Sequence, residues 1–270
     1  MILEVFTFIL GLVIGSFLNV CIHRIPREMS IVSPPSSCPG CGAPIRPYDN
    51  IPLLSYLLLR GRCRSCGMAI SVRYPLVELL NGLLYLAVMH AFGIGWHLPF
   101  QFAFASAMIV ITLIDLDFQI IPDVISLPGI ALGLAGASLF LPDPFGPAGG
   151  SFSASRLVGF WNSLIGAVAG FGLFYLIAVL GKAMAKTDAM GGGDLKMMAM
   201  IGAFMGWKSV LLTTFVGSLA GSIIGIVLMI LRGRERKMKI PFGPFLAAGA
   251  LVSLFFGGRI LRWYLRGIGI

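Results

Sequence analysis

The chain has 270 residues, 57% of them hydrophobic and only 11% charged, with a formal net charge of +9. A soluble domain carries roughly 25% charged residues, so this composition excludes an ordinary water-soluble class and indicates a helical membrane protein. The positive charge does not indicate nucleic acid. No basic recognition helix, base-stacking aromatic motif or recognition fold accompanies it, and topology with attraction to anionic lipid accounts for it.

A bilayer span needs about 20 apolar residues. Eight segments are candidates: about 2–22, 76–94, 98–114, 124–141, 157–180, 195–206, 209–231 and 242–257. The sixth is too short to cross alone and reads as a half-helix or as the start of the seventh. The N-terminal segment MILEVFTFILGLVIGSFLNVC lacks a basic leading region, so it reads as a retained first span and not as a signal peptide.

Residues 23–75 break the apolar pattern with Pro, Arg and Cys. Four of the five cysteines fall here, in CPGC (Cys38, Cys41) and CRSC (Cys63, Cys66). Two C-x2-C pairs about 20 residues apart match a zinc ribbon or knuckle, each pair reaching around one side of a tetrahedral ion. Four thiolates would close the coordination shell, so the Zn2+ would be structural. Disulfide or redox pairs and a metal-free loop are the alternatives, disfavoured on a reducing cytoplasmic face. Cys21 reads as a small buried apolar residue. The expected fold is an all-α polytopic membrane protein of about eight transmembrane helices with a small zinc-ribbon-like cytoplasmic domain. It divides into a first helix (1–22), a four-cysteine cytoplasmic domain (23–75) and a membrane core (76–270).

Lys and Arg placement sets orientation. Loop 23–75 carries Arg24, Arg27, Arg46, Arg60, Arg62, Arg64 and Arg73. Loop 232–241 carries Arg232, Arg234, Arg236, Lys237 and Lys239, and loop 181–194 adds Lys182 and Lys186. With eight spans these loops and 115–123 share one side, the cytoplasm, and both termini lie outside. Arg259, Arg262 and Arg266 in the C-terminal tail oppose that scheme. Residues 142–156, rich in Pro, Gly and Ser, read as a flexible outer connection.

Two acidic segments carry the chemistry. Asp115 lies in IDLDFQIIPD (114–123) and Asp194 in MGGGDLK (190–196), each at the edge of an apolar stretch. An ionised carboxylate at a helix centre costs roughly 2.5–3.5 kcal/mol, so such groups are normally kept for chemistry or ion movement. Two convergent carboxylates, one ionised to activate water and one protonated to polarise a carbonyl, are able to split an amide bond. Gly191, Gly192 and Gly193 would let a substrate backbone approach closely, and Asp194 would stand at a helix start. Lys196 either tunes the pair or meets lipid headgroups. Asp117 is the alternative to Asp115 within its segment. Pro122 and Asp123 read either as a helix start or as part of the site. Glu78, inside the second span, is a functional candidate: it would bind a positive charge, orient an amine or pair with Arg73. Asp49, Asn50, Arg60, Arg62 and Arg73 read equally as solvated surface or as functional residues. His23, His90 and His97 read as interfacial or structural.

The segments GSFLNVCIHRIP (15–26), residues 38–80 with both cysteine pairs, IDLDFQIIPD and MGGGDLK together resemble the bacterial type IV prepilin peptidases, GxGD-type intramembrane aspartic proteases. The resemblance covers nearly the whole chain. It implies cleavage of the short basic leader of prepilins and pseudopilins on the cytoplasmic side, by Asp115 and Asp194. It further implies methylation of the new N-terminal amine with S-adenosylmethionine, in a bacterial inner membrane, serving type IV pilus assembly or type II secretion. A peptidase without methyltransferase activity is the first alternative. A proton-coupled transporter is a second; it predicts internal symmetry, and the sequence shows none.

Overall fold

The computed structural model describes residues 1–139, 141, 142, 145, 156–185, 190–232 and 240–267. Lys186, the basic residues of 233–239 and most of the 142–156 connection lie outside the described residues. The described residues form helices, with two isolated β-bridges and no strand. The helices are α1 (Ile2–Arg24), α2 (Leu54–Leu58), α3 (Arg73–Phe92), α4 (Leu98–Phe118), α5 (Asp123–Leu139), α6 (Arg156–Ala185), α7 (Gly192–Arg232) and α8 (Gly243–Gly267). Six of them are long and apolar enough to cross a membrane, and α5 is a shorter apolar helix. The chain is thus an all-α multi-pass membrane protein with a cysteine-bearing loop, as its composition requires.

The chain divides into two compact units. The first comprises Met1–Gly93 and Ala105–Val110, and the second Ile94–Phe104 and Ile111–Ile270. In the first, α1 and α3 run antiparallel at close range: a Cβ added at Gly11 would lie 2.7 Å from Gly82 Cα, and one at Gly15 would lie 2.7 Å from Glu78 Cα. Small residues permit such backbone approach between membrane helices. Asn81, fully buried, secures the crossing. Its Nδ2 donates to the Gly11 carbonyl at 2.7 Å, and its Oδ1 accepts from Ser106 Oγ at 2.9 Å.

In the second unit the expected sixth and seventh spans form one element. At about 1.5 Å per residue a straight helix of the 41 residues in α7 would be about 60 Å long, twice the hydrocarbon thickness. It is broken at Gly206, with φ 78° and ψ 175°, a conformation essentially confined to glycine. The arm before Gly206 packs on α6, Gly202 against Gly166 and Met198 against Gly170, and on α5, Ala203 against Gly133. The arm after it runs antiparallel to α8, since Gly217 faces Phe245, Gly221 faces Phe242 and Gly225 faces Ile240. The break therefore reverses the chain. It returns the end of α7 to within one short connection of the start of α8.

Candidate active site and metal centre

Asp115 lies in the last turn of α4, where Gln119, at φ 56°, ends the helix by donating its N–H to the Asp115 carbonyl at 2.9 Å. The Asp115 side chain is 5% exposed, and its Oδ2 accepts the Gly243 N–H at 2.8 Å. Gly243 is the first residue of α8, so this carboxyl sits against a helix N-terminus, where free N–H groups suit an acidic partner. A Cβ at Gly243 would lie 2.6 Å from Oδ2, so a side chain there would displace the carboxyl. Gly243 escaped the sequence reading. Its signal was faint: a glycine between Phe242 and Pro244 at the start of an apolar run, 128 positions from its partner.

Asp194 is the third residue of α7 and is half-buried. Its N–H bonds to the Gly191 carbonyl at 3.2 Å. The fold thus brings together the end of α4 and the starts of α7 and α8. Gly191 and Gly192 are exposed, with open space around Gly192, and Gly193 packs against Ile121. Asp117 is exposed. Two residues on, about 200° around the helix, it projects from a different face than Asp115. Lys196 donates from Nζ to both oxygens of Asp123, at 2.7 and 2.6 Å, and Asp123 opens α5. Phe242, beside Gly243 in the chain, lines an open apolar groove of about 510 Å3 with Ser218, Gly221, Ser222 and Phe245.

Glu78 belongs to the first unit. Its buried carboxylate accepts the Leu53 N–H at 2.9 Å, which fixes the start of α2, where Leu53 takes φ 59°, onto α3. Asp49 is held by Arg64 through bonds of 2.6, 2.9 and 3.0 Å. That guanidinium lowers the Asp49 carboxyl below the usual range, and it also lies over the Tyr48 ring at 5.6 Å.

The cysteine loop repeats one turn twice. Cys38 N–H bonds to the Ala43 carbonyl and Gly42 N–H to the Cys38 carbonyl. In the second turn Cys63 bonds to Met68 and Gly67 to Cys63, and Gly42 and Gly67 take φ of 71° and 72°. The isolated bridges Ser37–Pro44 and Arg62–Ala69 close the two turns. All four Sγ atoms lie within 4.8 Å of one another, with Cys38 and Cys66 3.8 Å apart. A tetrahedral Zn2+ with Zn–S of about 2.3 Å requires sulfurs about 3.8 Å apart, so the cluster fits that ion. The Cys41 and Gly40 N–H groups directed at Cys38 lower its thiol.

Fold and site together define a multi-pass membrane protein that gathers two acidic side chains at helix ends in one unit and four metal-spaced cysteines in the other. Two family descriptions match: Bacterial Peptidase A24 N-terminal domain over residues 9–92, and Type IV leader peptidase family over residues 102–226. Similar proteins bear the name prepilin leader peptidase/N-methyltransferase. One from Pseudomonas aeruginosa is 38% identical, covering 97% of this chain and 93% of its own length. One from Aeromonas hydrophila is 37% identical over 96% and 92%. A longer one, from Myxococcus xanthus, is 42% identical over 85% of this chain and 64% of its own. The chain belongs to the type IV leader peptidase family. No solved structure gives a significant match.

Proposed function

We propose that this chain cleaves the basic leader of type IV prepilins and pseudopilins with Asp115 and Asp194 and then methylates the new N-terminal residue. The observation that supports the reading is that the segments carrying Asp115 and Asp194, far apart in sequence, are joined by the Gly193–Ile121 and Lys196–Asp123 contacts, within the part of the chain matched to the leader peptidase family. The ionised member of the pair takes a proton from water, whose oxygen attacks the scissile carbonyl. The protonated member hydrogen-bonds to that carbonyl oxygen, and a proton passes to the leaving amine. The shared proton belongs to the pair. Gly243 holds one oxygen of Asp115 through its backbone N–H. The arginines of 23–75 support a bacterial inner-membrane setting with the site at the cytoplasmic face, where the leader remains while the apolar segment of the substrate stays in the bilayer.

Cys38, Cys41, Cys63 and Cys66 would hold a structural Zn2+, whose four sulfur ligands leave no open position; its contribution is to fold residues 23–75. S-adenosylmethionine is the methyl donor of this reading. The described residues form no strand, so they provide no Rossmann-type sheet for it.

The test is intact-mass analysis of a prepilin incubated in detergent with this protein and S-adenosylmethionine. Loss of the leader with gain of one methyl group is expected. Loss of the leader alone would leave a peptidase without methyl transfer. An unchanged mass with several prepilins would overturn the reading in favour of a proton relay.

A further inference from the structure

Asp115 and Asp194 lie on different helices, and amide hydrolysis needs them held at a fixed separation. Two contacts join the segments that carry them. Lys196, two residues after Asp194, binds both carboxylate oxygens of Asp123, which opens α5 eight residues after Asp115. Beside this pair Gly193 is in direct contact with the same connecting segment. A Cβ at Gly193 would lie 2.7 Å from Ile121 Cβ and 3.4 Å from its backbone nitrogen. Residues two apart on a helix project about 200° from each other, so Lys196 is directed at Asp123 while Asp194 is directed elsewhere.

We infer that Asp123 and Lys196 are positioning residues: with the Gly193–Ile121 contact, their ion pair is a strut that sets the separation of Asp115 and Asp194. The inference rests on the aspartate-pair reading above. The side chains of Lys196 and Asp123 are 34% and 54% exposed. Partly exposed pairs contribute little to global stability, so the strut acts on local geometry. Misplacement of reacting groups by about 1 Å costs up to about 100-fold in rate.

The experiment is steady-state cleavage of a prepilin by full-length variants in detergent, with thermal unfolding measured alongside. Lys196→Met and Asp123→Asn should each lower kcat by about 10- to 100-fold, with KM and unfolding temperature unchanged. Lys196→Arg, which keeps the two-oxygen contact, should retain most activity. The charge-swapped double variant, Asp123→Lys with Lys196→Asp, should exceed both singles. Gly193→Ala should lower kcat, and adding Ile121→Gly should recover part of the loss. A swap no better than the singles, or singles that raise KM alone, would overturn the strut and make these side chains direct substrate contacts. Asp115→Ala in the same assay separates the two readings. If it is inactive while the swap fails, only the strut falls; if it cleaves normally, the aspartate pair falls as well.

Discussion

Gly206→Ala tests how α7 is built. The residue sits at φ 78°, ψ 175°, and holding a non-glycine residue there costs about 1–3 kcal/mol. The added methyl would also lie 2.8 Å from Asn162 Nδ2 on α6, and forcing a tight contact costs a further ~1–3 kcal/mol. The sum is about 2–6 kcal/mol, which for a chain of this size lowers the unfolding midpoint by on the order of 10 °C. Gly172 is the matched control: it lies in α6, and its added Cβ meets no heavy atom within 4 Å. Gly172→Ala should therefore raise stability by about 0.5–1 kcal/mol through helix propensity alone. Thermal unfolding in detergent followed by tryptophan fluorescence reads both, with Trp207 adjacent to the break. A Gly206→Ala protein as stable as the parent would refute the reversal of α7 at this glycine.

Two further outcomes concern the cysteine loop. Elemental analysis should find one zinc per chain, lost in Cys38→Ser, and chelation should open residues 25–72 to protease while α4–α8 stay protected. Asp49 is held below the usual carboxylate range by Arg64. Its contribution to the fold of the loop is thus complete above the unfolded carboxyl value of about 3.9 and is lost as pH falls through the lowered folded value. Amide protection across residues 46–66, taken relative to the intrinsic exchange rate at each pH, should fall below about pH 4 in the parent and show a smaller acid response in Asp49→Asn; an identical response would remove Arg64 as the cause.

Features that depend on local composition were legible in the sequence. The apolar runs and the two C-x2-C pairs specify helices and a metal-spaced cluster with no knowledge of distant contacts. The relation between the short segment 195–206 and the run 209–231 was not legible, because it depends on one backbone torsion at Gly206. The sequence left Asp115 and Asp117 as alternatives, since hydrophobic periodicity is weak in a helix apolar on every side; the structure buries the first and exposes the second. Gly243 was invisible for a further reason. Its importance lies in what its missing side chain allows a carboxyl 128 positions earlier to occupy. Glu78 stood out as an apolar-run carboxylate, but its partner, the Leu53 N–H, is a backbone group that no motif marks.

The proposed cleavage requires Asp115 and Asp194 together. The most direct measurement is the rate of leader removal from a prepilin by Asp115→Ala, Asp194→Ala and Asp117→Ala proteins of equal purity and equal unfolding temperature. No detectable cleavage is expected from the first two and a substantial rate from the third. Normal cleavage by either Asp115→Ala or Asp194→Ala would contradict it.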